Sequence, residues 1–361
     1  MLIKKVSAIG FRNLSPFTIE PDEKMNVICG ENAQGKTNLL ESLWLFTGAK
    51  SFRTNKDSEL CSLNDKKSRI SMNYTAFGTE NEVVIDIENR RKATLNEKKL
   101  SSASLLAGNF CAIVFSPDDL SLISGSPEKR RRFLDVAISQ IYPKNLETLR
   151  RYTRALHQRN YLLKEIKEGR GNLELLYPFE KELSSEGSKI IRYRIRYLEI
   201  AESFITDIYK GISSFKESFR VLYLPVCKAE ELEEKLKQTR SEDLITGYTS
   251  VGPHRDDLDF LIDELSVRNY GSQGQKRSVA LALKLSEAEV LNSVTGEYPV
   301  ALLDDVMSEL DPARQNYVLN HISKLQVFLT CCDPANISNL GSGTVFKIEN
   351  GKITEINKKQ E

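Results

Sequence analysis

The alternation of apolar and polar residues predicts strands in both terminal parts of the chain. Residues 2–9 and 16–20 alternate, and the apolar run KMNVICG precedes a helix-like stretch, KTNLLESLWLFTGA. Three further runs, RISMNYTAFG, NEVVIDIEN and KATLNEKKL, are typical of an antiparallel sheet. Strand patterns return after Thr246 and continue through EYPVALLDD, LQVFLTCC and TVFKIENGKITEI.

The middle of the chain follows a helical period instead. From about Pro117, the stretches SPEKRRRFLDVAISQI, NLETLRRYTRALHQRNYLLKEIKEG and EGSKIIRYRIRYLEIAESFITDIYKGI favour helices. We therefore predict an α/β fold with a mixed sheet, in which residues 1–116 and 245–361 form a head. Residues 117–244 are predicted to be inserted as a mainly helical second lobe, without a long coiled coil.

Composition excludes several kinds of protein. Hydrophobic residues make up 40% of the 361 residues and charged residues 28%, which is ordinary for a soluble globular protein. No apolar run approaches the length of a membrane span, and the first residues lack the apolar core of a signal peptide. The six cysteines show no C-x-x-C spacing, so neither a zinc site nor a disulfide framework is indicated. We expect a reducing, cytoplasmic compartment.

The segment GENAQGKT, from Gly30 to Thr37, predicts a phosphate-binding loop. It matches G-x-x-x-x-G-K-[ST] and lies in the required context, between an apolar strand and a helix. Lys36 would place a positive charge on the β- and γ-phosphates, and the Thr37 hydroxyl would bind Mg²⁺. The expected nucleotide-binding residues are Gly30, Glu31, Asn32, Ala33, Gln34, Gly35, Lys36 and Thr37.

Such a loop needs a carboxylate at the end of a neighbouring strand. The run VALLDD supplies Asp304, which we expect to hold Mg²⁺ together with Thr37. Asp305 could orient or deprotonate an attacking water, although an acid that caps a turn is the structural alternative. Thr37 and Asp304 are 267 positions apart in the sequence and would have to lie side by side in the fold. This large separation fits a long inserted lobe.

A third motif opens the helical stretch NYGSQGQKRSVALALKLSEAEVL. Ser272 and Gly274 stand where that helix begins, and a hydroxyl and a glycine amide at a helix N-terminus form a candidate anion site. An ordinary N-cap is the alternative.

The order of these motifs resembles that of the ABC-type ATPases, and more narrowly the SMC-like DNA repair and chromosome ATPases. The resemblance implies that ATP and Mg²⁺ are the ligands and that Lys36, Asp304 and Asp305 are catalytic. It implies that a signature segment binds the γ-phosphate of ATP held by a second subunit. This segment consists of Ser272, Gln273, Gly274 and Gln275. It also implies a D-loop formed by Ser308, Glu309, Leu310 and Asp311. The second signature position is usually glycine, so Gln273 departs from the pattern.

Three longer stretches are similar to the RecF family of bacterial recombination mediators. They are GFRNLSPFTIEPDEKMNVICGENAQGKTNLLESL, SPDDLSLISGSPEKRRRFLD, and GPHRDDL followed by GSQGQKR and LLDDVMSELD. This resemblance implies an ATP-dependent homodimer on DNA that acts in recombinational repair, replication-gap repair and SOS induction, with RecR and RecO as partners. It also places Arg12 and Arg53 near the nucleotide, although both could instead pair with nearby acids.

Two departures from the ABC pattern bear on turnover. Asp305 stands where a catalytic glutamate is usual, and its shorter reach predicts slow hydrolysis by a weak, DNA-dependent ATPase. Thr330, Cys331 or Cys332 occupies the place of the usual switch histidine, and none of the three is a strong base at neutral pH. The alternative function is a nucleotide-binding subunit of an ABC-type transporter, which would need a membrane partner.

Basic residues are placed unevenly along the chain. The net charge is only +1, yet residues 129–159 contain nine basic and two acidic residues. The candidate DNA contacts are Lys129, Arg130, Arg131, Arg132, Arg150, Arg151, Arg154, Arg192 and Arg196. We expect them to contact the phosphates of a duplex or of a single-strand/duplex junction with little sequence preference. For any single arginine, a salt-bridged helix face is the alternative.

Overall fold

Both terminal parts of the chain contribute strands to one unit of the protein. The structure is a computed structural model that describes residues 1–54, 56–213, 217–332 and 343–359. Its first unit comprises Met1–Asp119 with Leu283–Glu361, and its second unit comprises Leu120–Ala282.

The elements follow one another in three groups along the chain. The first group is β1 (Leu2–Ile9), β2 (Phe17–Ile19), β3 (Met25–Cys29), α1 (Lys36–Trp44), β4 (Ser68–Ala76), β5 (Thr79–Ile87), β6 (Arg91–Leu95), β7 (Lys98–Lys99) and β8 (Ala112–Phe115). The second is α2 (Leu120–Ser124), α3 (Pro127–Ile141), α4 (Lys144–Lys167), α5 (Leu176–Ser213), β9 (Phe219–Leu224), α6 (Leu232–Gln238), α7 (Arg240–Thr246), β10 (Asp257–Ile262), β11 (Leu265–Ser266) and α8 (Val267–Tyr270). The third is α9 (Gln273–Thr295), β12 (Val300–Leu303), α10 (Pro312–Ile322), β13 (Val327–Cys331), β14 (Gly343–Glu349) and β15 (Lys352–Lys359).

The first unit contains two six-stranded sheets. One is antiparallel, in the order β2-β1-β4-β5-β6-β7. In β4, alternate residues are buried, which gives the sheet one core face and one more exposed face, as the alternation in the sequence predicts. The predicted antiparallel sheet is therefore present.

The second sheet has the order β15-β14-β3-β13-β12-β8. All its neighbouring strands are parallel except β14 and β15, which form an antiparallel hairpin. Every residue of β8, β12 and β13 is buried, and apart from Thr330 these strands are continuous apolar runs. Because parallel strands end at one edge, the residues after β3, β8, β12 and β13 are brought to the same side of the sheet.

The second unit combines helices with a small antiparallel sheet, β11-β10-β9. Tyr152 and Ala155 of α4 and Leu183, Ile190 and Ile191 of α5 belong to one buried apolar cluster. The same unit contains buried ion pairs of Arg159 with Glu180 and Asp243, and this pairing offsets the high cost of burying a charge.

One predicted boundary of the second lobe is wrong. The sequence predicts that this lobe ends at residue 244, whereas the second unit continues to Ala282. The physical reason is that β10 pairs with β9 along its whole length. In addition, Asp256 and Asp257 pair with Arg194 and Arg130 of the same unit. The sequence of residues 245–282 shows strands but does not show which sheet they join.

Candidate nucleotide-binding site

The loop between β3 and α1 has the backbone that a phosphate-binding loop requires. Gly35, the residue before α1, has φ 116°, and a Cβ there would lie 2.7 Å from Leu14 Cδ2 and 2.9 Å from Asn13 Oδ1. Among the residues that the structure describes, no side chain caps α1, so the N–H groups of its first turn can bind an anion. Position 35 therefore requires glycine, both because of its positive φ angle and because a Cβ atom would clash with Leu14 and Asn13.

Lys36 points back over this loop. Its Nζ donates hydrogen bonds to the carbonyl oxygens of Gly30 (2.6 Å) and Glu31 (3.0 Å). It also lies 3.6 Å from the Sγ atom of Cys332, just after β13. The ammonium group is thus held inside the loop, where it can meet the phosphates of a nucleotide. Gln34 fixes the loop from outside, because its Oε1 accepts a 2.5 Å hydrogen bond from the N–H of Asn350.

Thr37 and Asp304 meet at the edge of the parallel sheet. The Thr37 hydroxyl donates to Asp304 Oδ1 over 2.8 Å, and the Thr330 hydroxyl donates to the same oxygen over 3.0 Å. Burial raises the pKa of Asp304, and the hydrogen bonds from the two threonines oppose that rise. A hydroxyl and one carboxylate fit Mg²⁺, which usually keeps several waters and binds through one or two carboxylates plus substrate phosphates.

Asp305 lies beside this pair with a constrained backbone. Its φ is 54°, in the left-handed region, and its N–H donates to Thr330 Oγ1 over 2.9 Å. The Ser308 hydroxyl donates to the Asp305 carbonyl over 2.8 Å. Both acids and the start of the predicted D-loop therefore form one hydrogen-bonded turn.

The rest of the predicted D-loop leads into α10. Asp311 caps that helix, because its Oδ1 accepts a 3.0 Å hydrogen bond from the N–H of Arg314. The Leu310 carbonyl accepts from Gln315 Nε2 (3.1 Å), and the N–H of Glu309 donates to the Val306 carbonyl (3.1 Å).

Arg12 pairs with Glu41, an acid for which the sequence predicts no role. Its Nε and Nη2 atoms donate to the two carboxylate oxygens of Glu41, at 2.9 and 2.8 Å, and Glu41 is fully buried in α1. The Ser51 hydroxyl donates to the same carboxylate. Arg53 is exposed, with Nη1 2.5 Å from Asn38 Oδ1 and 4.0 Å from Glu41. Glu41, the one acid within KTNLLESLW, was the signal that could have revealed this cluster.

The predicted signature segment opens α9 with a reciprocal cap. The N–H of Gln275 donates to Ser272 Oγ (3.2 Å), and the N–H of Ser272 donates to Gln275 Oε1 (2.8 Å). Ser272 and Gln273 are exposed, and Gly274 is half-buried. The structure thus shows the cap that we gave as the alternative. These residues belong to the second unit, and the phosphate loop belongs to the first.

The candidate DNA contacts divide into exposed and buried residues. Arg130 is wrong as a DNA contact: it is 0% exposed and donates to both carboxylate oxygens of Asp257, at 2.6 and 3.0 Å. Arg131 is half-buried and donates to the Asp256 carbonyl. The exposed candidates are Lys129, Arg132, Arg150, Arg151, Arg154, Arg192 and Arg196.

Several exposed candidates have partners within the second unit. Arg151 pairs with Glu147 and Arg192 with Glu230, while Arg196 lies 5.5 Å from the centre of the Tyr142 ring. Such exposed pairs are weak and can exchange a carboxylate for a phosphate. Arg159, which added to the charge of this segment, is 0% exposed and pairs with Glu180 and Asp243.

The motif GPHRDDL forms a polar network in the second unit. His254 lies between the Tyr152 hydroxyl (2.6 Å from Nδ1) and the Thr249 carbonyl (3.0 Å from Nε2). Asp256 accepts from Arg194 and from the N–H of Val226. His254 and Asp256 of this motif are therefore tied by hydrogen bonds to other segments of the second unit.

Comparison with known proteins identifies the family. Residues 2–354 match the family described as RecF/RecN/SMC N terminal domain. The DNA replication and repair protein RecF of Bacillus mycoides (strain KBAB4) is 36% identical over 375 residues, which cover 99% of this chain and 100% of that protein. Its counterpart in Lachnoclostridium phytofermentans is 35% identical over 357 residues, or 98% of this chain and 99% of that protein. The chain belongs to the RecF family.

Solved structures agree with the RecF assignment. Two structures, described as the recombination mediator protein RecF-ATPrS and RecF-ATP in the RecFOR pathway, are each 36% identical with a TM-score of 0.91. The first covers 98% of both chains, and the second covers 99% of this chain and 98% of that one. The Smc head domain of Pyrococcus furiosus, at 16% identity and a TM-score of 0.56, shows the fold alone.

The predicted family and fold class are therefore confirmed. The chain is a DNA replication and repair protein of the RecF family, with a mixed α/β head of the SMC type. The alternative of a transporter subunit is not favoured, because near-full-length relatives are RecF proteins. Within the described residues, no helix combines the length and apolarity needed to cross a membrane.

Proposed function

We propose that this RecF-family protein is a DNA clamp gated by ATP, which acts in recombinational repair, replication-gap repair and SOS induction. One observation carries the proposal: the Thr37 hydroxyl meets the Asp304 carboxylate at the mouth of a loop already shaped for phosphates. ATP is the nucleotide, since relatives sharing 36% identity are described with ATP and ATPrS.

Each residue of the site has a part in this function. Lys36 binds the β- and γ-phosphates, and Thr37 with Asp304 holds Mg²⁺. When held by Thr37 and Asp304, Mg²⁺ would offset the negative charge that develops during phosphoryl transfer. Asp305 orients the attacking water, and its short side chain makes turnover slow. We expect hydrolysis to be weak and stimulated by DNA, so that ATP binding controls the clamp and hydrolysis releases it.

The signature segment reads the nucleotide of a second copy of the chain. Ser272 Oγ accepts a hydrogen bond from Gln275, and its own proton can still be donated to the γ-phosphate of a partner subunit. Gly274 lets the backbone approach closely, and the N-terminus of the long helix α9 favours an anion. ATP would therefore join two heads, and Arg12 and Arg53 would support the loop of each.

DNA is the macromolecular ligand. The seven candidate DNA contacts that are exposed, from Lys129 to Arg196, supply charge for backbone phosphates without a base-reading motif. We expect a duplex or a junction as the target. RecR, together with RecO, is the expected protein partner, because the related structures are described as part of the RecFOR pathway. The cytoplasm is the expected location.

Light scattering with two cap-preserving variants tests this function. Asn and Asp are both good N-caps, so Ser272→Asn and Ser272→Asp keep α9 intact, but only Asp puts a negative charge against a phosphate. We expect ATP-Mg²⁺ to convert the wild type from monomer to dimer, Ser272→Asn to dimerise more weakly, and Ser272→Asp to stay monomeric. Ser293→Arg, an exposed change near the other end of α9, is the control.

The outcomes separate two roles for Ser272. Normal dimers in Ser272→Asp would reduce this residue to a helix cap. A wild type that stays monomeric with ATP-Mg²⁺, both alone and with duplex DNA, would contradict the clamp itself.

A further inference from the structure

The Thr330 side chain joins the two acids of the nucleotide site. Thr330 lies near the carboxyl end of β13 and is 1% exposed. Its hydroxyl donates to Asp304 Oδ1 (3.0 Å) and accepts from the N–H of Asp305 (2.9 Å). A single hydroxyl group therefore donates a hydrogen bond to one acidic residue and accepts a hydrogen bond from the next one in the chain.

This link holds a backbone conformation that Asp305 would not adopt readily. The φ of 54° is disfavoured for a residue with a Cβ atom, although Asp tolerates it better than most. Thr330 holds the N–H side of the residue, and Ser308 holds its carbonyl side over 2.8 Å. The direction in which the Asp305 carboxylate leaves the turn is thus set by two hydroxyl groups.

We propose that Thr330 is a positioning residue for ATP hydrolysis, which fixes Asp304 and Asp305 in one catalytic arrangement. The inference rests on the proposed function, in which Asp304 holds Mg²⁺ and Asp305 orients water. Thr330 occupies the part of the chain where related ATPases usually carry a switch histidine. In this protein, Thr330 instead forms hydrogen bonds with Asp304 and Asp305 of its own chain.

Loss of the hydroxyl should separate binding from turnover. Thr37 would still donate to Asp304, and Lys36 would keep its hydrogen bonds to the loop, so nucleotide binding should persist. The N–H of Asp305 would lose its acceptor, and the turn could relax away from φ 54°. The carboxylate that orients water would then be misplaced, which costs turnover more than affinity.

The test compares Thr330→Val, which has the same shape without the hydroxyl, with Thr330→Ser, which keeps it. We expect Thr330→Val to lower kcat about tenfold or more and to leave the affinity for a non-hydrolysable ATP analogue, measured without divalent metal, within about twofold, while Thr330→Ser recovers most of the turnover. A second readout is the affinity for Mn²⁺ in the presence of the analogue, measured by electron paramagnetic resonance. It should fall in Thr330→Val, because Asp304 loses one of its two threonine donors.

Thr344→Val is the matched control. Thr344 is also 1% exposed and lies in β14 of the same sheet, and its hydroxyl makes no hydrogen bond with the residues that the structure describes. We expect this variant to keep wild-type turnover, analogue affinity and Mn²⁺ affinity.

Three results would overturn the role of Thr330 while leaving the proposed function in place. They are an unchanged kcat in Thr330→Val, an equal loss in Thr330→Ser, and a fall in Tm without a fall in kcat per folded molecule. Each of these results is compared with the turnover of Asp305→Asn, which should be inactive. A wild type that neither binds nor hydrolyses ATP would instead defeat the proposed function, and the role of Thr330 with it.

Discussion

The Thr37 hydroxyl donates a 2.8 Å hydrogen bond to Oδ1 of Asp304, across 267 positions of sequence. The contact exists because β3 and β12 both flank β13 in parallel register, so the loops after them meet at one sheet edge. A hydroxyl and a carboxylate that are far apart in the chain thereby become one candidate Mg²⁺ site.

Asp304→Asn should abolish turnover without unfolding the protein. The amide can still accept from Thr37 and Thr330, but it lacks the charge that holds Mg²⁺, so we expect kcat to fall about a hundredfold or more. Steady-state hydrolysis across a Mg²⁺ titration measures this effect. Asp86→Asn, at an exposed ion pair with Arg69, is the control. Unchanged hydrolysis in Asp304→Asn would remove this carboxylate from the site.

Gly35→Ala should prevent nucleotide binding. The new Cβ would lie 2.7 Å from Leu14 and 2.9 Å from Asn13, so the loop must shift. Gly169→Ala is a matched control, because Gly169 also has a positive φ of 77° but open space around its Cβ position. We expect Gly169→Ala to cost about 1 kcal/mol of unfolding free energy and to leave binding intact. Equal nucleotide affinity in the two variants would contradict the steric argument.

Arg130→Met should destabilise the second unit rather than alter DNA contacts directly. The substitution removes the bidentate partner of Asp257, which keeps its contact with Arg268, so we expect a loss near the lower end of the about 3–5 kcal/mol that breaking a buried ion pair costs. Denaturant unfolding measures the loss. Arg154→Ala, at an exposed site, should change stability by less than about 0.5 kcal/mol. A change in Arg130→Met as small as that of Arg154→Ala would show that the pair contributes little.

Removing exposed arginines of α4 should lower both DNA affinity and its salt dependence. In the triple change of Arg150, Arg151 and Arg154 to Ala, each phosphate that is no longer neutralised should reduce the slope of log K against log salt by about 0.9. Fluorescence anisotropy with a labelled duplex at several salt concentrations gives the slope. The control changes Lys98 and Lys99, exposed in the hairpin of the first unit, to Ala. An unaltered slope in the triple variant would place the DNA elsewhere.

His254 should make the protein less stable in mild acid. Burial lowers the pKa of His254 from 6.5 to about 4, so the folded state holds the ring neutral where the unfolded chain protonates it. Its contribution to stability is complete above pH 6.5 and is lost as the pH falls towards 4, by about 3 kcal/mol in all. Urea unfolding of the wild type and His254→Gln between these limits measures it. The variant should show a shallower loss of stability, and parallel curves would exclude His254 as the cause.

Local motifs predicted most of the parallel sheet and its loops. The phosphate loop and the run VALLDD carry their chemistry within a few residues, and their order along the chain was enough to predict that Lys36, Thr37 and Asp304 share a site. The strand β8 was missed, because its short apolar run AIVF shows no alternation and leads into no recognised motif, whereas VALL leads directly into Asp304.

Tertiary pairing decided what the sequence could not. Arg130 and Arg132 are near neighbours in one helix, yet Arg130 is buried against Asp257 and Arg132 is exposed. Charge counting along the chain cannot distinguish them, because the partner of Arg130 is 127 positions away. For the same reason, the place of Thr330 beside Asp304 became visible only once the fold was known.

The position of β3 between β13 and β14 has a consequence for biosynthesis. The ribosome makes Met25–Cys29 roughly 300 residues before Val327–Cys331 and Gly343–Glu349, which at about 5–20 residues per second is a delay of tens of seconds. During that time both edges of β3 lack their final neighbours, and unpaired strand edges invite wrong pairing. A nascent chain therefore cannot complete its nucleotide site until translation is almost over, and prematurely terminated copies should compete for neither ATP nor DNA gaps.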